Sequence, residues 1–414
     1  MQQHFNAIII GGGAAGFFTA INLAEKNPSL KIAILERGKE VLSKVRISGG
    51  GRCNVTHACF DPNELTGYYP RGSKELRGPF HTFATSDTVN WFQQHGVLIK
   101  REDDGRMFPQ ANTSQAVIDC FMRLQQNLEI RLYTGENVLS IQRNENNWQL
   151  NTQQNQFITQ QICIATGGSP AIWKLLEKLG HTIVPPVPSL FTFNCKDERI
   201  IDLPGVATNV SVSIKDTNLQ SSGPLLITHW GMSGPAILKL SAWGARILHD
   251  KQYAFTLVVN WLQTENIEST LEKLRSQREI YPQKTVSLKS PFGMPGRLWE
   301  SLVQAAFVNK DTRWADLSKK QINQLAQQLC QAQFAIRGKN TFKEEFVTAG
   351  GIDLKEIDFK TMRSKILPGV YFAGEVLNID AITGGFNFQN AWTCGHIAAS
   401  AMDDVLGRNI TVAK

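Results

Sequence analysis

The stretch IIIGGGAAG, from Ile8 to Gly16, decides the fold of this chain. Three apolar β-branched residues predict a buried strand, and the glycines that follow predict a tight turn into a helix. In this spacing Gly11 permits the bend, Gly13 lets the backbone approach a pyrophosphate, and Gly16 lets the helix pack on the strand. The start of the helix then offers free N–H groups and a partial positive charge to phosphates.

The residues after this turn complete a βαβ unit. We expect a strand over 7–10, a helix over 14–26 and a second strand over 31–35. Glu36 ends that strand about twenty residues past the turn, where a carboxylate accepts both ribose hydroxyls of an adenosine. A GxGxxG motif alone is a weak signal. Here it is followed by a helix, a second strand and Glu36 at the expected spacing, and this combination predicts a dinucleotide-binding Rossmann unit.

A second glycine-rich group lies near the C-terminus. The run YFAGE over 371–375 leads to Asp380 and then to GGFN over 384–387. We expect Asp380 to contact ribityl hydroxyls, and the helix that opens at Asn387 to stabilise negative charge on a reduced flavin. Because this pattern predicts a return to the other end of the cofactor, both ends of the chain together predict one FAD site.

The string SGGGRCN, from Ser48 to Asn54, predicts backbone that lies against a flat or charged ligand. Lys44 and Arg52 add positive charge, and the alternative is a flexible surface loop with solvated charges. Cys53 is a candidate redox residue, although no partner thiol lies at redox spacing. The whole segment 39–79 is expected to be too irregular for helices and to wrap the ligand.

The middle of the chain reads as an inserted domain. Prolines at 185, 186 and 188 predict a linker, after which short strands and polar helices run to residue 338. Since cofactor motifs stop before this region and resume after it, we expect an insert over 188–338 between two parts of an FAD-binding domain, 1–187 and 339–414.

Earlier in the chain, three alternating runs between 129 and 152 predict a separate antiparallel layer over the sheet.

The string THWGMSGP over 228–235 is the distinctive one in the insert. We expect Ser233 to cap the helix that follows and Pro235 to occupy its first turn. His229 is a weak catalytic candidate, an acid near the flavin or equally a structural histidine.

Composition limits the remaining possibilities. With 414 residues, 42% of them hydrophobic, and no apolar run of about 18 residues, we expect a cytoplasmic enzyme of two or three domains and no membrane partner. Seven scattered cysteines predict reduced thiols and no metal site. The formal charge of +7 is spread along the chain, so nucleic acid is not the expected partner, although a patch built in three dimensions stays open.

Together these motifs resemble the YhiN/BaiN-type flavoproteins, also called the aminoacetone oxidase family of FAD-binding enzymes. SGGGRCN and TGGFNFQNA are its most specific strings. The resemblance implies an α/β fold, a glutathione-reductase-like FAD-binding Rossmann domain with an inserted mixed β-barrel and helical domain. It places Asn378 and Arg363 at positions where the family often has acids. It implies noncovalent FAD contacts at Gly11, Gly13, Ala15, Gly16, Glu36, Arg37, Lys44, Gly50, Gly51, Arg52, Cys53, Asn54, Val138, Thr166, Gly167, Gly374, Glu375, Asp380, Gly385, Phe386 and Asn387.

The resemblance leaves the reaction open between reduction of enone-type substrates and amine oxidation. Our leading hypothesis is an FAD-dependent oxidoreductase in which NAD(P)H reduces the flavin and the flavin passes a hydride to a small organic acceptor. The alternatives are an amine (aminoketone) oxidase that uses dioxygen and, from another class, an RNA-modifying flavoprotein or a non-catalytic flavin sensor. Only one dinucleotide fingerprint is present, so NAD(P)H is expected to bind transiently. The sequence does not indicate the oligomeric state.

Overall fold

The computed structural model of the chain describes residues 2–340 and 347–412. They divide into two compact units, one formed by Met1–Val187 with Lys343–Lys414 and the other by Pro188–Phe342. None of the described helices is long and apolar enough to cross a membrane.

The elements follow in chain order. The first part of the first unit contains β1 (Gln2–Ile10), α1 (Ala14–Lys26), β2 (Ile32–Glu36), α2 (Ser43–Gly51), β3 (Thr56–His57), α3 (Pro62–Thr66), α4 (Ser73–Thr82), α5 (Thr85–Gln94), β4 (Ile99–Arg101), β5 (Arg106–Pro109), α6 (Gln115–Asn127), β6 (Arg131–Thr134), β7 (Ser140–Asn144), β8 (Asn147–Asn151), β9 (Gln156–Ile164), α7 (Pro170–Lys178) and β10 (Ile183–Ser189). The second unit contains β11 (Thr192–Asn194), β12 (Ala207–Ile214), β13 (Gln220–Thr228), β14 (Gly231–Ser233), α8 (Pro235–Trp243), α9 (Ala245–Asp250), β15 (Ala254–Asn260), α10 (Ile267–Ile280), α11 (Gly296–Ala305), α12 (Lys319–Cys330), β16 (Ala332–Arg337) and β17 (Lys339–Asn340). The chain returns to the first unit with β18 (Val347–Ile352), β19 (Ile357–Asp358), β20 (Arg363–Ser364), β21 (Val370–Phe372) and α13 (Phe386–Val412).

A parallel sheet forms the centre of the first unit. Its strands run in the order β21, β9, β1, β2, β6, with Ile10 opposite both Leu35 and Ile164. The last four residues of β1 and the first four of β2 are buried and apolar, as expected for strands covered on both faces. Their carboxyl ends meet at one edge, the edge at which α/β sheets bind nucleotides. The expected α/β fold with a Rossmann unit is confirmed.

The prediction of a separate antiparallel layer over 129–152 is wrong. β6 pairs in parallel with β2 at the edge of the main sheet. β8 joins the same sheet by antiparallel pairing with β9, and β7 pairs antiparallel with β8. An alternating pattern predicts a strand with two different faces, but it does not identify the strand's partner.

A further prediction about local structure is wrong. The segment 39–79 contains α2, α3 and the start of α4, because its glycines interrupt α2 only at the kink over Ser48–Gly50. The prolines between 185 and 188 lie within β10, which pairs with β18 in a two-stranded sheet. Such a sheet leaves one edge of each strand unpaired, so a missing N–H on that side costs no ladder bond.

The second unit contains an antiparallel barrel with helices. The strand order is β16, β15, β12, β13, β14, β11, β17, so the two ends of the path flank Gly338. Gly338 N donates to Tyr253 O over 2.8 Å, and Asn194 N donates to Gly338 O over 3.1 Å. Tyr253 directly precedes β15 and Asn194 belongs to β11, so the segment around Gly338 pairs near both ends of the strand order and the sheet closes on itself.

Ser233 does not cap α8, contrary to the sequence prediction. It belongs to β14, and the cap position falls to Gly234 at φ 92°. A Cβ at Gly234 would lie 2.8 Å from Pro224 O, so only glycine fits this turn. Pro235 occupies the first position of α8 as expected.

Candidate FAD-binding site

The first glycine turn leaves open space in front of α1. Gly11 has φ 114°, and a Cβ there would lie 2.5 Å from Ala165 O, so the bend requires glycine. A Cβ at Gly16 would lie 1.9 Å from Gly11 O, which shows how closely the helix packs on the strand. At Gly13, by contrast, no atom lies within 4 Å of an added Cβ, and no side chain caps the helix. The first-turn N–H groups of α1 are therefore available to a phosphate.

The carboxylate of Glu36 is held in place by backbone. Gly12 N donates to Oε2 and Gly38 N donates to Oε1, each over 2.7 Å. Because each carboxylate oxygen accepts more than one hydrogen bond, Glu36 keeps capacity for two ribose hydroxyls.

A neighbouring segment extends this adenosine end of the site. Gly135 N donates to Gly38 O, and Glu136 N donates to Glu36 O, each over 2.9 Å. Val138 is buried and lies two residues after Glu136. The side chain of Arg37 is exposed.

The ends of the parallel strands bring the two halves of the sequence together. Ala373 N donates to Ile164 O over 3.1 Å, which sets the turns after β21 and β9 side by side. Gly374 has φ 75°, and a Cβ there would lie 3.1 Å from Cβ of Ala15 in the first turn of α1. Thr166 and Gly167 are half-buried in the turn after β9.

An ion pair adds to this junction. Lys44 Nζ lies 2.6 Å from Glu375 Oε2, and a Cβ at Gly167 would lie 3.7 Å from the same oxygen. The side chain of Lys44 is 55% exposed and that of Glu375 is 16% exposed. In this arrangement the predicted cation is neutralised by a predicted site carboxylate.

The SGGGRCN segment is the kinked end of α2. Gly49, Gly50 and Gly51 all have positive φ, and no atom lies within 4 Å of a Cβ added at Gly50 or Gly51. Both glycines are exposed, so their backbone is open to a ligand. Arg52 turns elsewhere: Nη1 donates to Glu102 Oε1 over 2.6 Å, and the guanidinium carbon lies 4.0 Å from the centre of the Phe108 ring.

The structure does not support a redox role for Cys53. The residue is fully buried, and burial raises the pKa of its thiol to about 12. The thiol therefore stays protonated at neutral pH, and only the thiolate is an effective nucleophile.

Asp380 has a protein partner that sequence reasoning missed. Its side chain is fully buried, and both carboxylate oxygens accept hydrogen bonds from the guanidinium of Arg71. The two residues also form an antiparallel backbone bridge. Asp380 therefore fixes the loop after β21, and its ribityl contact stays a prediction. No spacing rule connects residues 309 positions apart.

Asn387 also has a structural partner. Ala381 N donates to its Oδ1 over 2.9 Å, and its Nδ2 donates to Ala381 O over 3.2 Å. The side chain thus clamps the preceding loop, and the helix start contributes through its backbone. Gly385, at φ 95°, brings this helix start against Thr56, whose backbone would lie 2.6 Å from an added Cβ.

Three aromatic rings meet at the start of α13. Phe386 stacks on Tyr68 with ring centres 4.3 Å apart and on His57 with centres 4.7 Å apart. Tyr69 supports them, since its hydroxyl donates to Phe386 O over 2.5 Å. Burial, followed by the neighbouring Cys59 and Glu64, raises the pKa of Tyr68. Neither His57 nor Tyr68 was singled out from the sequence, because no motif marks either residue.

His229 belongs to the second unit. It lies at the exposed turn between β13 and β14, with the Trp230 ring centre 6.3 Å away. Nothing in this turn fixes the imidazole for acid–base chemistry. Across the described residues, no group of three or more His, Cys, Asp or Glu side chains is arranged to hold a metal ion.

Comparison with known proteins decides the family. The family described as HI0933-like protein Rossmann domain matches residues 5–401. The chain belongs to this family. Membership identifies it as an FAD-dependent oxidoreductase and confirms the resemblance drawn from the motifs.

The family relatives match over almost their whole length. A ribosomal RNA dihydrouridine synthase from Escherichia coli is 28% identical over 95% of this chain and 96% of its own length. One from Haemophilus influenzae is 26% identical, covering 96% and 98%. A 3-dehydro-bile acid delta(4,6)-reductase from Clostridium scindens is 24% identical, covering 95% and 98%.

A solved structure shares the fold. The 3-ketosteroid delta1-dehydrogenase from Sterolibacterium denitrificans superposes with a TM-score of 0.53 at 12% identity, covering 97% of this chain and all of that one. At this identity the likeness concerns the fold alone.

The polar groups of the family site suit FAD. Asn54 Oδ1, Glu136 Oε2 and Asn378 Oδ1 are buried oxygens with no hydrogen-bond donor among the described residues. An unpaired buried acceptor costs about 1–3 kcal/mol, which a ligand that donates a hydrogen bond offsets. FAD carries hydroxyl and amide donors along its length, and its pyrophosphate matches the open turn at Gly13. Asn378, where the family often has Asp, therefore retains a free acceptor.

Proposed function

We propose that the chain is an FAD-dependent reductase of a carbon–carbon double bond conjugated to a carbonyl group, and that its substrate is a uridine in ribosomal RNA. The observation that carries this proposal is that two kinds of relative, each similar over at least 95% of this chain, have names that describe the same chemistry. Dihydrouridine is uridine with its 5,6 double bond saturated, and a delta(4,6)-reductase saturates ring double bonds. This substrate departs from the expectation drawn from composition that nucleic acid is not a partner.

The residues of the site suit this reaction. Gly13, Glu36 and the backbone at Gly50 and Gly51 would hold FAD, which would supply hydride chemistry at the carbon β to the carbonyl. NADPH or NADH is the proposed source of the hydride. The helix start at Phe386 favours negative charge nearby.

The reaction also needs a proton at the α carbon, and the chain offers a donor. Tyr68 is half-buried and lies against Phe386 at the helix start, with ring centres 4.3 Å apart. Its phenolic hydroxyl carries a proton at neutral pH, as tyrosines do, and can donate it where negative charge develops. We assign Tyr68 as the proton donor, with His57 as the neighbouring group that orients the rings.

The test is anaerobic reduction of the FAD-loaded protein with NADPH or NADH, followed by one acceptor at a time. Unmodified ribosomal RNA is expected to reoxidise the flavin fastest and to gain two mass units at a uridine. Faster reoxidation by a 3-oxo-4-ene steroid, with no change in RNA mass, would replace RNA with a small enone. Fastest reoxidation by dioxygen, with flavin reduction by an aminoketone, would establish the oxidase instead. No reoxidation by any acceptor would favour a non-catalytic sensor.

A further inference from the structure

The positive charge of the chain is concentrated in the helical part of the second unit. Residues 273–320 contain ten lysines and arginines but four aspartates and glutamates, an excess of six in a chain whose formal charge is +7. All ten basic side chains are exposed. This segment therefore accounts for nearly all of the net charge, although its lysines and arginines are too far apart to form a dense tract.

These ten cations are not neutralised by carboxylates. None of them forms an ion pair with a described acidic side chain. Elsewhere in the chain, Arg71 and Arg199 are paired with aspartates. Like charges left together without partners repel one another, so their clustering is unfavourable unless an anion binds them.

The tertiary structure brings distant cations together. Segment 281–289 runs antiparallel to 310–315: Val286 N donates to Thr312 O over 2.9 Å, and Trp314 N donates to Lys284 O over 3.0 Å. Thr285 and Arg313 form a backbone bridge between the two segments.

A second link extends this arrangement to α12. Gln321 Nε2 donates to Phe307 O over 2.9 Å, which joins the end of α11 to the first turn of α12. We call the resulting group the basic surface: Lys284, Lys289, Lys310, Arg313, Lys319 and Lys320.

Exposed aromatic rings accompany the basic surface. Tyr281 is 41% exposed and Phe307 is 76% exposed. Lys284 Nζ lies 3.9 Å from the centre of the Tyr281 ring. Flat rings beside unpaired cations are the combination that binds single-stranded nucleic acids, because bases stack on the rings while the cations contact phosphates.

Phe307 is unsuited to its position on structural grounds alone. It follows the end of α11 in a left-handed conformation with φ 59°, where glycine is strongly favoured. Its ring gains little from burial, since three quarters of the residue is exposed. The exposed Phe307 ring is therefore free to contact a ligand.

We infer that the basic surface, with Tyr281 and Phe307, binds single-stranded ribosomal RNA. The inference rests on the proposed function only for the choice of RNA as the substrate. The lysines and arginines contact phosphates, and the two rings receive unstacked bases. Acidic protein partners fit less well because they provide no flat rings to stack on Phe307.

The test measures binding of the FAD-loaded full chain to a fluorescein-labelled, single-stranded 20-nucleotide RNA of mixed sequence. K289Q/K310Q/K320Q is expected to weaken binding more than tenfold and to lower the slope of log K against log salt by about 2. The matched control K174Q/K178Q/K251Q removes the same charge from exposed lysines outside the basic surface and should change affinity less than twofold.

Phe307→Gly separates binding from folding. It should weaken RNA binding about tenfold while leaving the melting temperature unchanged or higher, because glycine relieves the left-handed strain. Trp243→Ala, at another exposed aromatic residue of the same unit, is the control and should leave RNA binding unchanged.

Several outcomes would overturn the inference. Equal effects of the two triple variants would show that diffuse charge is responsible, and unchanged binding by Phe307→Gly would exclude stacking at this residue. Binding to vesicles that contain phosphatidylserine, without binding to RNA, would assign the surface to membranes. If uridine reduction occurs but the triple variant reacts like the parent, the inference fails while the proposed function stands. If RNA binds through the basic surface and no uridine is reduced, the proposed function fails and the inference stands.

Discussion

Lys44 Nζ and Glu375 Oε2 lie 2.6 Å apart, although the two residues are separated by 331 positions in the chain. Lys44 belongs to α2, and Glu375 follows β21. Their contact joins the N-terminal and C-terminal parts of the first unit at the edge where the parallel strands end. The ion pair is largely exposed on the lysine side, so its role is to position the turn after β21 more than to stabilise the fold.

A double-mutant cycle with Lys44→Gln and Glu375→Gln tests this interpretation. We expect a coupling energy below about 1 kcal/mol in urea unfolding of the FAD-free protein, because water screens the exposed ammonium group. A coupling of several kcal/mol would mean that the pair is a structural anchor.

Gly13→Ala and Gly16→Ala separate cofactor binding from folding. A methyl group at Gly13 meets no protein atom, so the unfolding free energy should change by less than about 1 kcal/mol, while FAD binding weakens because the methyl fills the phosphate space. At Gly16 the methyl would clash with Gly11 O, so unfolding should become easier by about 3 kcal/mol or more. Chemical denaturation and FAD titration measure the two effects. Undiminished FAD affinity in Gly13→Ala would move the pyrophosphate elsewhere.

Glu36→Ala should weaken FAD binding by about 1–3 kcal/mol through loss of charge-assisted hydrogen bonds. The same change at exposed Glu40 is the control, because it alters charge in the same loop without a predicted ribose contact. Fluorescence titration of the FAD-free protein gives both affinities. Equal affinities for the two variants would contradict the assignment of Glu36 to the ribose.

Tyr68→Phe should slow reduction of the acceptor about a hundredfold, the low end of the usual effect of general acid catalysis. Flavin reduction by the nicotinamide and FAD affinity should be unchanged, since the hydroxyl serves only the acceptor step. Tyr253→Phe, at a tyrosine whose pKa burial also raises but which lies in the second unit, is the control. Stopped-flow measurement of the two half-reactions distinguishes them. If Tyr68→Phe reduces the acceptor at the parent rate, the proton comes from another group.

The hydrogen bond between Glu356 and His181 should make the free energy of unfolding fall at acid pH. Glu356 Oε2 accepts from His181 Nδ1 over 2.7 Å, and His181 Nε2 lies 2.9 Å from Ser364 Oγ. Burial alone would raise the pKa of Glu356, but hydrogen bonds from Thr182 and His181 outweigh it and lower the pKa. The carboxylate is therefore stabilised in the folded state.

Because the folded state holds this pKa below its unfolded value of about 4.3, the stabilisation is complete above that pH and is lost as the pH falls through the lowered pKa. Urea unfolding between pH 6 and pH 3 measures the loss. Glu356→Gln should cost about 1–3 kcal/mol at neutral pH and flatten the acid dependence, whereas Glu40→Gln should change neither. An unchanged acid dependence in Glu356→Gln would assign the effect to other carboxylates.

The sequence predicted most accurately the features whose cause is local. The bounds of α1 were predicted at both ends, because a glycine turn starts the helix and an Asn-Pro pair follows it. The role of Gly16 was likewise predicted, since the spacing within one turn sets its distance from Gly11. β6, β7 and β8 were recognised as strands, but their partners were not, because pairing depends on residues far along the chain.

The site shows the same division more sharply. By itself, the sequence determined the family, the FAD-binding Rossmann unit and the position of Glu36, because these follow from short motifs with a fixed spacing. Only the tertiary structure decided that the guanidinium of Arg71 binds the carboxylate of Asp380 and that Tyr68 and His57 stack at the start of α13. It also decided that lysines scattered along the sequence form one basic surface. The physical reason is that a hydrogen bond or a ring contact between distant residues depends on how whole elements pack, which no local pattern encodes.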